Sequence, residues 1–112
     1  MAVDDSKVVD FVSIDSKRER AFLTISDHLD WVDGDEHQLI LQRKLNAYLA
    51  FVESGELIER FPDAKGLPVV FDIRFMHEPD ESGLRFLERA REVVVSAGFS
   101  LSFKTLGSSY LH

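Results

Sequence analysis

Leu41, Leu45, Tyr48 and Val52 follow one another at intervals of four, three and four residues, a spacing that lines side chains up along one face of an α-helix. Ile40, Leu49 and Phe51 broaden that line into an apolar face too wide for a single partner helix, so the helix requires a sheet to cover it. The predicted helix runs over residues 35–54. Asp33 and Glu36, in capping-box spacing, mark its start, and Gly55, which can take the left-handed conformation, marks its end.

On either side of this helix the period changes to two. Residues 7–14 (KVVDFVSI) and 20–26 (RAFLTIS) are rich in β-branched and aromatic residues and flank the polar run 15–19 (DSKRE). They read as a β-hairpin whose loop is longer than the tight Asn-Gly type. In residues 69–76, Val69, Phe71, Ile73 and Phe75 alternate with Val70, Asp72, Arg74 and Met76, the pattern of a half-buried strand. Residues 80–97 form a second amphipathic helix, with Leu84, Leu87, Ala90, Val94 and Ala97 on one side and Gly98 as its stop. Phe99, Leu101 and Phe103 then alternate with Ser100, Ser102 and Lys104 in a last strand with one wet face. Between residues 56 and 68, Leu57, Ile58 and Phe61 are apolar but Pro62, Gly66 and Pro68 break any long element, so a loop with a short strand is expected.

The order is ββαβαβ, which predicts an α/β (α+β) two-layer sandwich: a four-stranded mixed sheet with two helices on one face. The polar positions Thr24, Ser26, Asp72, Arg74, Ser100, Ser102 and Lys104 predict that the other face is open. With both helices as crossovers, the last three strands run parallel and the first is antiparallel to its hairpin neighbour. A strand at 56–61 paired with 69–76 would reverse the latter, so two topologies stay open. A chain of 112 residues fits one domain, 1–112, and 45% apolar residues with nine Phe is the balance of a globular protein.

Acidic residues outnumber basic ones by 20 to 13, a formal charge of -7 that repels phosphate backbones and anionic lipid surfaces, so nucleic acid and membrane are not expected partners. No stretch approaches the ~20 apolar residues of a membrane span. The start, MAVDDSK, carries acids where a signal peptide carries a basic segment and an apolar run, and the expected location is cytoplasmic. With no Cys, disulfides, thiolate zinc sites and cysteine nucleophiles are all excluded, and any divalent metal would need His and carboxylate ligands.

Residues 27–37 (DHLDWVDGDEH) are the densest concentration of Asp, Glu and His in the chain. In the parallel topology they lie at the carboxyl end of the sheet, where open α/β folds bind ligands, and residues 77–81 (HEPDE) reach the same end. His28, Asp30, Trp31, Asp33 and His37 are therefore the candidate partner- or ligand-binding residues. His28, His37, His77 and Asp80, with Asp30 and Glu78 beside them, are the candidate ligands of a divalent metal such as Zn, Mn or Fe. Against the metal, acids at the start of a helix complement its dipole and cap its free amides, and no ordered spacing such as H-E-x-x-H or a full calcium loop is present. Ser26, Asp27 and His28 name the members of a hydrolase triad, but neighbours on a strand point to opposite faces and no nucleophile elbow surrounds the serine, so no catalytic residue is assigned. Trp31, the sole tryptophan, either staples the loop to the helix near His37 or anchors a partner.

The block LTISDHLDW at residues 23–31, followed by EHQLILQRKLNAYLAFVESGEL, resembles a family of small bacterial domains of unknown function. The likeness runs from about residue 8 to residue 103, and ISDHLDW is its most specific part. It implies a bacterial cytoplasmic domain and brings no activity, cofactor or catalytic residue.

Two functions from different classes fit these features. The first is a non-enzymatic protein-interaction module, for example an immunity- or antitoxin-like protein that neutralises a basic partner, since complementary fields speed encounter and fix orientation. The alternative is a small metal-dependent or ligand-binding enzyme with a His/Asp site at the carboxyl end of the sheet. A homodimer is compatible with either. It would form through the open sheet face, where Phe22, Val70 and Met76 interrupt the polar positions, or through the edge of the last strand between Phe99 and Phe103, unless Tyr110 and Leu111 of the tail cover that edge.

Overall fold

A computed structural model describes residues 11–15, 17 and 19–106, with Phe11 in its backbone alone. Residues 7–10 of the predicted first strand and the tail with Tyr110 and Leu111 lie outside the described residues. Strands β1 (Phe11–Ile14) and β2 (Ala21–Asp27) form the hairpin, helix α1 (Gly34–Glu53) follows, then a short helix α2 (Glu56–Arg60), β3 (Val69–Phe75), α3 (Glu81–Ser96) and β4 (Ser100–Thr105). The strands lie in the order β1-β2-β3-β4. β1 is antiparallel to β2, while β2, β3 and β4 run parallel, so the four-stranded mixed sheet is the one the periodicity predicts.

The segment after α1 departs from expectation. Gly55, at φ 87°, turns the chain into α2, where Leu57 is buried and Arg60 lies 3.7 Å from Glu56 one turn earlier. Pro62 then opens a single 3-10 turn, Pro62–Ala64. No strand forms there, which leaves β3 free to pair with β2 in the parallel sense. Helix wins over strand because one buried leucine with an i,i+4 ion pair suits a short turn of helix, whereas Pro62 removes a donor that a ladder would need.

The core lies between one sheet face and the two long helices. Ala21, Leu23 and Ile25 of β2, Phe71, Ile73 and Phe75 of β3, and Leu41, Tyr48 and Leu87 of the helices are fully buried. Burying each Phe or Leu contributes ~1.5–3 kcal/mol. The one polar atom in this set, Tyr48 Oη, donates to the Thr24 carbonyl at 2.8 Å, as a buried phenol requires.

On the opposite face, Ser26, Ser100, Ser102 and Lys104 are exposed, as the alternation predicts, but Asp72 is buried at 7% exposure. It lies on an inner strand, where flanking side chains close over it. Arg74 Nε donates to it at 2.7 Å and Ser102 Oγ at 3.1 Å. Gly98, at φ 96°, ends α3 by donating its N–H to the Val95 carbonyl at 2.9 Å. Gly98→Ala is expected to cost about 1–2 kcal/mol in a denaturant titration, because a Cβ disfavours the left-handed conformation.

Among the described residues, no helix is long and apolar enough to cross a membrane.

Candidate functional site

The alternation that buries Ala21, Leu23 and Ile25 also directs Asp27, the last residue of β2, toward the helices. Ser26 and His28 are exposed on either side of it, while Asp27 itself is 1% exposed. A buried carboxylate must be satisfied by donors. Its Oδ1 accepts the Leu29 N–H at 3.1 Å, and its Oδ2 lies 2.5 Å from His37 Nε2.

His37 stands one turn into α1, on the same inward stripe as Leu41, Leu45 and Tyr48. Its Nδ1 is 3.0 Å from the Asp30 carbonyl oxygen. A carbonyl only accepts, so Nδ1 carries a proton and donates it; the 2.5 Å contact on the other side then requires one further proton between Nε2 and the carboxylate. Both ring nitrogens are thereby engaged.

Trp31 covers this pair. Its indole stacks on the His37 ring with centroids 3.7 Å apart and planes 25° from parallel, and Phe75 closes the cluster at 5.8 Å from Trp31 and 6.5 Å from His37. Trp31 Nε1 donates to the His77 carbonyl at 3.1 Å, which ties the loop after β2 to the loop after β3. The indole also meets the first turn of α3, where a Cβ built on Gly83 would stand 2.9 Å from Trp31 Cζ3 and 3.0 Å from Cη2. Gln38 Nε2 also donates to Ser82 Oγ at 2.9 Å, linking the starts of α1 and α3. The two loops at the carboxyl end of the sheet form one packed body.

The arrangement defines its own chemistry. In a hydrolytic triad a carboxylate orients one histidine nitrogen and leaves the other to take the proton of the nucleophile. Here the second nitrogen is held by the Asp30 carbonyl, and the His37 ring is 2% exposed, so the pair fixes the loop and presents no base to a ligand.

The candidate residues separate accordingly. His28, Asp30 and Asp33, with Leu29, Glu36, His37 and Ile40, line an open cleft of about 390 Å³. Trp31 lies half-buried beside it as the staple to α1, and His77, Glu78 and Asp80 are exposed on the neighbouring loop. Asp30 Oδ1 accepts the Val32 N–H and Asp33 Oδ1 the Glu36 N–H, each at 3.1 Å, while Asp80 Oδ1 caps α3 through the Gly83 N–H at 2.8 Å. His28, His37, His77 and Asp80 are not brought together as metal ligands, and among the described residues no group of three or more His, Asp or Glu is arranged to hold a metal ion. Of the polar side chains in the two loops, Asp30 serves a turn, Asp33 and Asp80 each serve a helix cap, and Asp27 and His37 form a buried pair.

Two residues of this site were not among the candidates. Asp27 as the partner of His37 was legible in the period-two register of β2, which sends it inward and so demands a donor. Gly83 carried no comparable signal, since its need arises from an indole that comes from another loop.

A family model described as "Family of unknown function (DUF6572)" matches residues 1–107. No curated protein and no solved structure matches the chain.

Proposed function

The chain belongs to the family of unknown function DUF6572, and from the geometry of the site we propose that it is a non-enzymatic protein-interaction module that docks a basic partner at the carboxyl end of its sheet. One observation carries this reading: residues 27–42 and 75–84 contain no Lys or Arg, while Asp30 and Asp33 on one loop, Asp35 and Glu36 in the first turn of α1, and Glu78 on the other loop are exposed. Exposed carboxylates gathered at one end of a protein sum to a field that steers and orients a cationic partner. Val32 stands among them at 88% exposure and offers an apolar contact within the charged rim. The cleft beside it suits a Lys or Arg side chain, because Asp30, Asp33 and Glu36 each keep a carboxylate oxygen beyond their turn and cap contacts.

The buried His37–Asp27 pair and its tryptophan cover support the same reading from below. A loop already fixed by packing loses little freedom on binding, which favours affinity. An immunity- or antitoxin-like role in a bacterial cytoplasm is the concrete form we propose, with the ISDHLDW block as the part of the family pattern that builds the site; the absence of Cys suits a reducing compartment. Affinity capture from a lysate of the source cell tests it. The wild-type chain is expected to retain a basic protein at low salt and release it as salt rises, and a variant with Asp35→Asn, Glu36→Gln and Glu78→Gln is expected not to retain it. Retention that is indifferent to salt and to these substitutions contradicts the proposal.

A further inference from the structure

The outer edge of the sheet points to a second copy of this chain as a further partner. β4 ends the strand order, and the Leu106 N–H donates to the Phe75 carbonyl at 2.7 Å on its inner side. Alternation along the strand then turns the backbone groups of Ser102 and Lys104 toward β3 and those of Leu101 and Phe103 away from it. Arg91 meets this outer edge: its Nε reaches the Leu101 carbonyl at 3.4 Å and its guanidinium lies 5.6 Å from the centre of the Phe103 ring. That hydrogen bond is long for an N–H donor, so it is a contact that an incoming strand can displace at Leu101.

We infer that two copies join here, pairing their β4 strands antiparallel about a two-fold axis at Ser102, to give one sheet of twice four strands. The register is self-complementary. Leu101 of each copy faces Phe103 of the other as a hydrogen-bonded pair, Ser102 faces Ser102, and Lys104 faces Ser100, so no like charges meet. The half-buried Phe103 gains cover from the second Leu101.

A second surface fits the same axis. Leu84, Glu88, Arg91 and Val95 fall at intervals of four, three and four on α3, along the stripe that Arg91 places beside the edge. Leu84 is 45% and Val95 57% exposed, apolar positions with no core role. A two-fold that sets β4 against β4 also sets α3 antiparallel to α3, which brings Leu84 to the second Val95 and Glu88 to the second Arg91. Arg91, already 3.0 Å from Glu88 of its own helix, has an equivalent carboxylate across the axis and leaves the Leu101 carbonyl to the incoming strand. The two acidic ends then point in opposite directions, so the dimer presents two docking sites.

The chain contains no Cys, which makes an introduced one a clean reporter. Ser102→Cys lies at the axis, at a non-hydrogen-bonded pair with Cα atoms ~4.5 Å apart, within reach of a disulfide. It is expected to cross-link under mild oxidation, and Ser100→Cys, which faces Lys104, is expected not to. Light scattering of the unmodified chain is expected to give twice 12.8 kDa. Glu88→Arg is expected to yield monomers by opposing Arg91, and Glu88→Arg with Arg91→Glu is expected to restore the dimer. A wild-type mass of 12.8 kDa at the highest soluble concentration, a dimer indifferent to Glu88→Arg, or equal cross-linking at positions 100 and 102 would overturn the inference.

Discussion

His37→Ala is expected to lower the stability of the domain by about 3–5 kcal/mol, and Asp27→Asn by about 1 kcal/mol. The large effect follows from what the alanine leaves behind. Asp27 is 1% exposed, and without His37 it keeps the Leu29 N–H but loses its second donor, so a carboxylate is stranded in the core. The Asp30 carbonyl loses its donor and Trp31 its stacking surface in the same step. Asp27→Asn is mild for a specific reason. With Nδ1–H held by the Asp30 carbonyl, the neutral ring presents Nε2 as an acceptor, and an asparagine Nδ2–H can donate to it while its oxygen still accepts from Leu29. Urea titrations followed by circular dichroism compare the two. Equal losses would show that the pair depends on the charge of Asp27 and not on one shared proton.

Gly83→Ala is expected to destabilise by about 1–2 kcal/mol, against the usual sign for a helical glycine. On helix propensity alone the change would gain about 0.5–1 kcal/mol. The new methyl, however, would stand 2.9 Å from Trp31 Cζ3. The indole is held in place: it stacks on His37 with ring centroids 3.7 Å apart and its Nε1 is tied to the His77 carbonyl. Overpacking of this kind costs about 1–3 kcal/mol, which outweighs the propensity gain. As Trp31 is the sole tryptophan, its emission reports the displacement directly, and a shift to longer wavelength should accompany the loss. A more stable variant with unchanged emission would show that the indole is not wedged between the two helices.

These effects show where the sequence was readable and where it was not. The stripe of α1 and the alternation of β2, β3 and β4 are local patterns that burial imposes residue by residue, so element order and sheet were legible. Residues 56–61 were not, because a single buried leucine between breakers has no period, and a five-residue helix is set by Gly55 and Pro62 at its ends. The side-chain arrangement around residues 27–37 was less legible. The density of Asp and His there suggested converging ligands, yet Asp33 and Asp80 serve helix starts and His37 serves Asp27. The packing of Trp31 on Gly83 was not legible at all, because such contacts between distant segments leave no spacing in the chain.

The central claim, a docking rim above a structural His–Asp pair, is tested most directly by the dissociation constant of the captured partner for three forms of the chain: wild type, the Asp35→Asn, Glu36→Gln, Glu78→Gln variant, and Asp27→Asn. Neutralising three exposed charges, each worth up to about 1 kcal/mol, is expected to weaken binding roughly 10- to 100-fold, with Asp27→Asn within about twofold of wild type. Binding that survives the loss of the rim charges but collapses in Asp27→Asn would contradict the account and return the buried pair to the centre of the function.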